Sequence, residues 1–282
     1  MTTVDDRLEA QYDNRALVPD HPDIFDRWSR EAAAFRKSAM DAARAELNVP
    51  YGPHARHVYD YFRADPSAAP APRTAVFVHG GYWRTFDKSY FSHMAGCLTV
   101  RGFDVAVINY RLCPEVRIAD IMEDVEMAGA SIFRTSGRPL LPYGHSAGGH
   151  LVSCLLATDW QRRGLPADLT QAGLVVSGVY DLIPLLKVSV NADLQLTEDA
   201  ATAASPLFWQ PPELTGLAVV AGGAESDAFQ DQSRRFHTAW SQSAGRSTLD
   251  IVEGANHFTV IDPLADPDSA MAKRLTDLCP IT

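Results

Sequence analysis

The sequence predicts an α/β protein with a mostly parallel central sheet and helices on both faces. Two observations predict it. Short apolar, β-rich runs alternate with helical periodicity from residue 56 to residue 278, and that rhythm needs crossover connections that cover both faces of a sheet. Several of the runs, such as Thr74-Ala75-Val76-Phe77-Val78, carry no polar side to face water, as expected of buried central strands.

Residues 20–47 read as one amphipathic helix. Pro22 suits its first position, Asp23 and Asp26 its first turn, and Phe25, Trp28, Ala32, Phe35 and Ala39 one apolar face. This helix either packs on the core or forms a flap over a site. Residues 56–63 alternate as an edge strand, and the Ala/Pro-rich stretch 65–72 is a connecting loop. Central strands follow at 74–78 and 103–108, with a crossover helix at 90–101 between them. A helix at 118–133 leads to a short strand at 138–143, the glycine-rich turn around Ser146 and an apolar helix from Leu151. The next strand covers 172–177. Residues 181–212 then break the rhythm with Pro184, Pro206, Pro211 and Pro212 and read as an irregular, cap-like excursion, a kind of segment that often serves function. Strand 217–221, helix 230–242, strand 248–252 and helix 267–278 complete the chain.

A chain of 282 residues suits one domain, 1–282, with a sizeable core. The net charge of −10 argues against nucleic acid or an anionic membrane surface as partner. The scattered Cys97, Cys113, Cys154 and Cys279 have no zinc or redox spacing and read as small core residues. Neither a leader at Met1–Asp6 nor a bilayer-length apolar run is visible, so a cytoplasmic protein acting on a small molecule is expected, with self-association left open.

Four stretches carry chemistry, each at the end of a predicted strand. Gly144-His145-Ser146-Ala147-Gly148 is a Gly-x-Ser-x-Gly elbow, which lifts a serine hydroxyl to the sheet's carboxyl edge at a helix start. His79-Gly80-Gly81-Tyr82-Trp83 follows the first central strand. Its glycines allow backbone N–H groups close to a substrate oxygen, so the amides of Gly80, Gly81 and Ala147 are the candidate oxyanion hole. His79 itself reads as a structural hydrogen-bonder. Among nine histidines, His257 alone lies on a loop after a late strand, where it can serve as a base for Ser146. Gly222-Gly223-Ala224-Glu225-Ser226-Asp227 offers the acid. The G-x-x-acid spacing favours Glu225, with Asp227 as the alternative nearer the helix start. Tyr82, Trp83, His145 and Phe258 flank these pieces as candidate pocket residues, Trp83 being equally suited to the core. The chemistry expected is acyl transfer without a cofactor or metal. The rival is a ligand-binding receptor on the same scaffold that has lost one of the three groups, but all three are present in this sequence.

The two glycine motifs resemble the α/β-hydrolase superfamily, and most closely its kynurenine formamidase branch, related to hormone-sensitive-lipase-type esterases. Gly178-Val179-Tyr180-Asp181-Leu182, Ser205-Pro206-Leu207, Phe229 with Gln232-Ser233, and His257-Phe258 are similar to that branch too. Glu225 stands where the branch usually has aspartate. The resemblance runs from about Tyr51 to His257, and the segment from Tyr12 to Arg15 and the helix from Pro22 are similar to bacterial members. It implies an α/β-hydrolase fold and hydrolysis of a small, aromatic formamide or carboxylic ester by Ser146, Glu225 and His257.

Overall fold

A computed structural model describes residues 4–279; Met1–Thr3, the start of the stretch inspected for a leader, lie outside the described residues. Eight strands make one sheet: β1 (Ala45–Pro50), β2 (Val58–Phe62), β3 (Thr74–Val78), β4 (Val105–Ile108), β5 (Leu140–His145), β6 (Ala172–Val176), β7 (Gly216–Gly222) and β8 (Ser247–Val252). Their order is β1-β2-β4-β3-β5-β6-β7-β8. The pairs β1/β2 and β2/β4 are antiparallel and all others parallel. Strands β3 to β7 are buried along their whole length, which explains their unbroken apolar character. Val76 and Val78 enter one core layer while Ala75 and Phe77 enter the other, as a period of two requires.

The helices are α1 (Asp6–Tyr12), α2 (Asn14–Leu17), α3 (His21–Asp41), α4 (Gly96–Thr99), α5 (Ile118–Ser136), α6 (Ala147–Ala157), α7 (Asn191–Leu194), α8 (Glu198–Ala203), α9 (Asp227–Trp240) and α10 (Ala270–Asp277). Buried residues of α5, α6 and α9 fill one core layer. Those of α3, α4 and α10 fill the other. All four cysteines are buried free thiols. Among the described residues no helix is long and apolar enough to cross a membrane.

Three sequence expectations need correction. The helix expected over 20–47 ends at Asp41, and residues 45–50 become β1. The stop is a left-handed turn at Ala43, φ +53°, closed by the Arg44 N–H on the Ala39 carbonyl at 2.7 Å. Such turns usually carry glycine, so alanine gave no signal. Residues 56–63 therefore do not form an edge, because β1 pairs outside β2, with Val49 opposite Tyr59. The crossover expected over 90–101 is not one helix but 3₁₀ turns at Lys88–Tyr90 and Ser92–Ala95 followed by the short α4. There Asp87 and Asn109 side chains accept the Ser89 and Lys88 N–H groups. Such local partners compete with a regular helix.

Helix α3 is built into the core. Trp28 is buried, its indole N–H donates to Asp262, and Arg27 grips the same carboxylate through two bonds of 2.9 and 2.8 Å. Trp28→Ala should therefore destabilise the protein by about 3–5 kcal/mol, read from urea unfolding midpoints. A midpoint unchanged from the parent would mark α3 as a detachable flap.

Candidate active site

Ser146 caps α6 at the end of β5 with φ 55° and ψ −121°, a left-handed conformation that a serine adopts only under constraint from its surroundings. The constraint is visible on either side of it. A Cβ on Gly148 would lie 2.0 Å from the Val78 carbonyl oxygen, and one on Gly144 2.6 Å from the Gly148 carbonyl oxygen. Only glycine fits both positions, so the turn can pack against β3 while Ser146, itself buried, lines the cleft.

His257 sits on the loop after β8. The Asn256 side chain accepts the N–H groups of Phe258 and Thr259, both at 2.9 Å, and holds the loop in shape. The imidazole Nε2 lies 3.0 Å from Ser146 Oγ, and Nδ1 lies 2.7 Å from a Glu225 carboxylate oxygen. A carboxylate can only accept, so Nδ1 carries the proton and Nε2 offers its lone pair to the serine hydroxyl. Asp227 is exposed in the first turn of α9 and makes no bond to His257. The second Glu225 oxygen accepts the Gly222 N–H at 2.5 Å and the hydroxyl of Ser177. Sequence reasoning missed Ser177. Its only signal was position, a serine closing a central strand beside the elbow.

Gly80 crosses directly above Ser146: a Cβ on Gly80 would meet the Ser146 Cβ at 3.0 Å. Gly81 has φ +111°, and a Cβ there would lie 2.4 Å from the Thr85 carbonyl oxygen. Among the described residues neither N–H has a hydrogen-bond acceptor. The His79 ring donates to the Gly80 carbonyl at 2.7 Å and stacks on Tyr110 at 4.4 Å. That fixes the Gly80–Gly81 peptide plane and turns the Gly81 N–H the opposite way. Burial pushes the His79 pKa down to about 4, so the ring is neutral. The Ala147 N–H opens α6 on the other side of the serine.

A cleft of about 730 Å³, its open mouth included, is lined by Gly80, Gly81, Ser146 and His257, with Tyr82, His145 and Phe258 on its walls; Ala147 and Glu225 are buried and do not line it. His145 is buried. It donates from Nε2 to the His257 carbonyl at 2.7 Å, and desolvation with the neighbouring His257 holds its pKa well below the ordinary value. Trp83 does not line the cleft. It is fully buried and meets His150 edge-on at 5.0 Å. Tyr82 and Trp83 both have positive φ, 50° and 54°, and that turn separates one ring from the other. From α3 only Phe25 and Trp28 reach the cleft, and from the excursion over 181–212 only Val188, Ser189 and Val190 do. The remaining wall is Arg84, Thr85, Phe86 and Phe91 together with Glu9 and residues 12–15, none of which the sequence singles out as pocket residues.

The mostly parallel sheet, the strained serine at its carboxyl edge and the loops that meet there define an α/β-hydrolase. The BD-FAE family matches residues 61–174. A kynurenine formamidase of Salmo salar is 30% identical over 245 residues, which cover 84% of this chain and 83% of that one. One of Drosophila melanogaster is 31% identical over 79% of this chain and 78% of its own length. Among solved structures, a proposed thioesterase from Silicibacter sp. TM1040 is 37% identical, with a TM-score of 0.86 over 95% of this chain and 98% of that one. The carboxylesterase EstE1, 19% identical with a TM-score of 0.66 over 83% and 87% of the two chains, shares the fold. The chain belongs to the kynurenine formamidase-like branch of the α/β-hydrolases, and it is a hydrolase.

Proposed function

We propose that the protein hydrolyses small aromatic formamides or carboxylic esters through an acyl-enzyme on Ser146. The observation that carries this reading is the unbroken chain Glu225–His257–Ser146, with links of 2.7 and 3.0 Å, at a cleft walled by Phe25, Phe86 and Phe258. Ser146 Oγ attacks the carbonyl carbon and its proton passes to His257 Nε2. Glu225 stabilises the imidazolium. The amides of Gly80, Gly81 and Ala147 take the oxyanion, which contributes most where water is excluded. His257 then returns the proton to the leaving nitrogen or oxygen. A water molecule, deprotonated by the same imidazole, releases the acid from the acyl-enzyme. The formamide and ester classes are also those named for relatives of this chain, kynurenine formamidases and, at 33% identity over 78% of this chain, a probable isoprenylcysteine α-carbonyl methylesterase of Arabidopsis thaliana.

A thioester substrate is a second reading, carried by the likeness to the proposed thioesterase. It would use the same acyl-enzyme route with a better leaving group. A panel of formanilide, phenyl acetate, S-phenyl thioacetate and ethyl acetate decides between these. Turnover should be fastest among the aromatic members, and a fluorophosphonate probe should label the protein and stop it. Turnover of ethyl acetate with none of the aromatic substrates would refute the aromatic reading.

A further inference from the structure

The turn that carries the Gly80 and Gly81 amides is strained. After Gly81 at φ +111°, Tyr82, Trp83 and Phe86 all adopt left-handed conformations, at φ 50°, 54° and 73°. Residues other than glycine keep such conformations only where their surroundings over-determine them. Within the turn the Gly81 carbonyl accepts the Arg84 and Thr85 N–H groups at 3.1 and 3.0 Å. These bonds close the turn on itself. Its two ends, at His79 and Asp87, are fixed from outside.

One side chain reaches both ends. Arg56 lies on the loop between β1 and β2, does not line the cleft and has no part in the chemistry above. At the far end of the turn its Nη2 donates to the Phe86 carbonyl at 2.9 Å, and its Nη1 lies 3.4 Å from the Asp87 carboxylate. At the near end its Nε donates to the Tyr110 carbonyl at 2.7 Å. The Tyr110 hydroxyl in turn donates to the His79 carbonyl at 2.8 Å. Asn109 ties the two ends together. Its carboxamide oxygen accepts from Arg56 at 3.1 Å, and its NH2 donates to Asp87 at 2.5 Å. The Arg56 side chain is only 23% exposed, so water competes little for these bonds. Its own loop is pinned by the Tyr51 hydroxyl on the Asn109 carbonyl at 2.6 Å and by the buried His57, 3.0 Å from Asp124.

We propose that Arg56 is a positioning residue for the oxyanion hole, a clamp across the two ends of the strained turn that keeps the Gly80 and Gly81 N–H groups aimed at the reacting oxygen. It rests on the serine-hydrolase reading of the cleft. A planar guanidinium suits the task because its donors point in fixed, separate directions, whereas a lysine ammonium is a single point on a flexible stem. Without the clamp, Phe86 and Asp87 lose their common anchor with Tyr110. The turn then relaxes towards ordinary φ and carries the two amides away from the oxyanion. Misplacement of this kind acts on the transition state, where the negative charge develops, more than on substrate binding.

The test separates transition-state binding from ground-state binding. Benzyl trifluoromethyl ketone accepts Ser146 Oγ at its carbonyl carbon, the hydroxyl proton passing to His257, and so places an oxyanion in the hole. Benzyl methyl ketone has nearly the same shape and reads the cleft alone. In Arg56→Gln, kcat/KM for phenyl acetate should fall about tenfold or more. It should stay short of the roughly 10²–10³ lost with a whole oxyanion donor, because the Cys113 N–H still holds the Trp83 carbonyl at 2.8 Å. The Ki of the trifluoromethyl ketone should rise by the same factor, while KM and the Ki of benzyl methyl ketone stay within about twofold. Arg56→Lys keeps the charge and most of the stem, should show a smaller loss of the same kind, and serves if the glutamine variant does not fold. A lowered melting temperature with kcat/KM and both inhibitors unchanged would make Arg56 purely structural and overturn the proposal. Equal weakening of both ketones would place its effect on the Phe86 wall and overturn it too. Either result, beside turnover that still requires Ser146, leaves the hydrolase reading standing. A wild-type protein that neither turns over phenyl acetate nor binds the trifluoromethyl ketone would overturn that reading, and the clamp with it.

Discussion

Ser146→Ala is expected to lower kcat by about five to six orders of magnitude, the scale on which loss of a nucleophile acts when it works as a unit with its base. The fold should survive. The removed hydroxyl meets only His257 Nε2, and the Cβ that packs beneath Gly80 remains. The backbone at φ 55° is no more strained for alanine than for serine. The oxyanion donors stay in place, so a small residual rate over water is expected. The check is kcat on phenyl acetate beside a thermal melt and fluorophosphonate labelling. Labelling lost while turnover persists would mean that another nucleophile operates.

Glu225→Gln should cost about 10⁴ in kcat, and the geometry gives a specific reason. One carboxylate oxygen is held by two donors, the Gly222 N–H and the Ser177 hydroxyl. In the variant those donors would select the amide oxygen and turn the NH2 towards His257 Nδ1. The imidazole would then present a lone pair at Nδ1 and a proton at Nε2, the wrong tautomer for a base facing Ser146. Asp227→Asn should change kcat by less than about twofold, because the exposed Asp227 contributes only a favourable charge in the first turn of α9. Parallel rate measurements on the two variants separate the candidates. A dead Asp227→Asn beside an active Glu225→Gln would transfer the acid role to Asp227 and leave the rest of the mechanism standing.

Some of this was legible because the signals are local. The strands β3 to β7 are buried from end to end, so each is an apolar run that a few residues announce. Glycines on both sides of Ser146 mark a turn whose clashes with β3 admit no side chain. The three-residue step from Gly222 to Glu225 is one turn, short enough to bring the carboxylate back to the Gly222 N–H. Chain order and loop position were enough to single out His257 from nine histidines.

Other features depended on partners far away in the chain. The sequence left the helix from Pro22 open between core packing and a flap, and gave no sign that Glu9 and residues 12–15 would line the cleft. Helices α1 and α2 are too short to show a periodicity, and their placement comes from Ser189 on Glu9, Ser226 on Gln11 and Gln232 on Tyr12, partners 180, 215 and 220 residues apart. Trp83 went to the core and Tyr82 to the cleft through two consecutive left-handed residues, a conformation that neither residue type announces. Ser177 acquired its place only when β6 came to lie between β5 and β7, where its hydroxyl meets Glu225. Local pattern determined the sheet and the loops that carry the reacting groups. What surrounds the substrate was decided by tertiary contacts, because packing partners distant in sequence leave no mark in a window of a few residues.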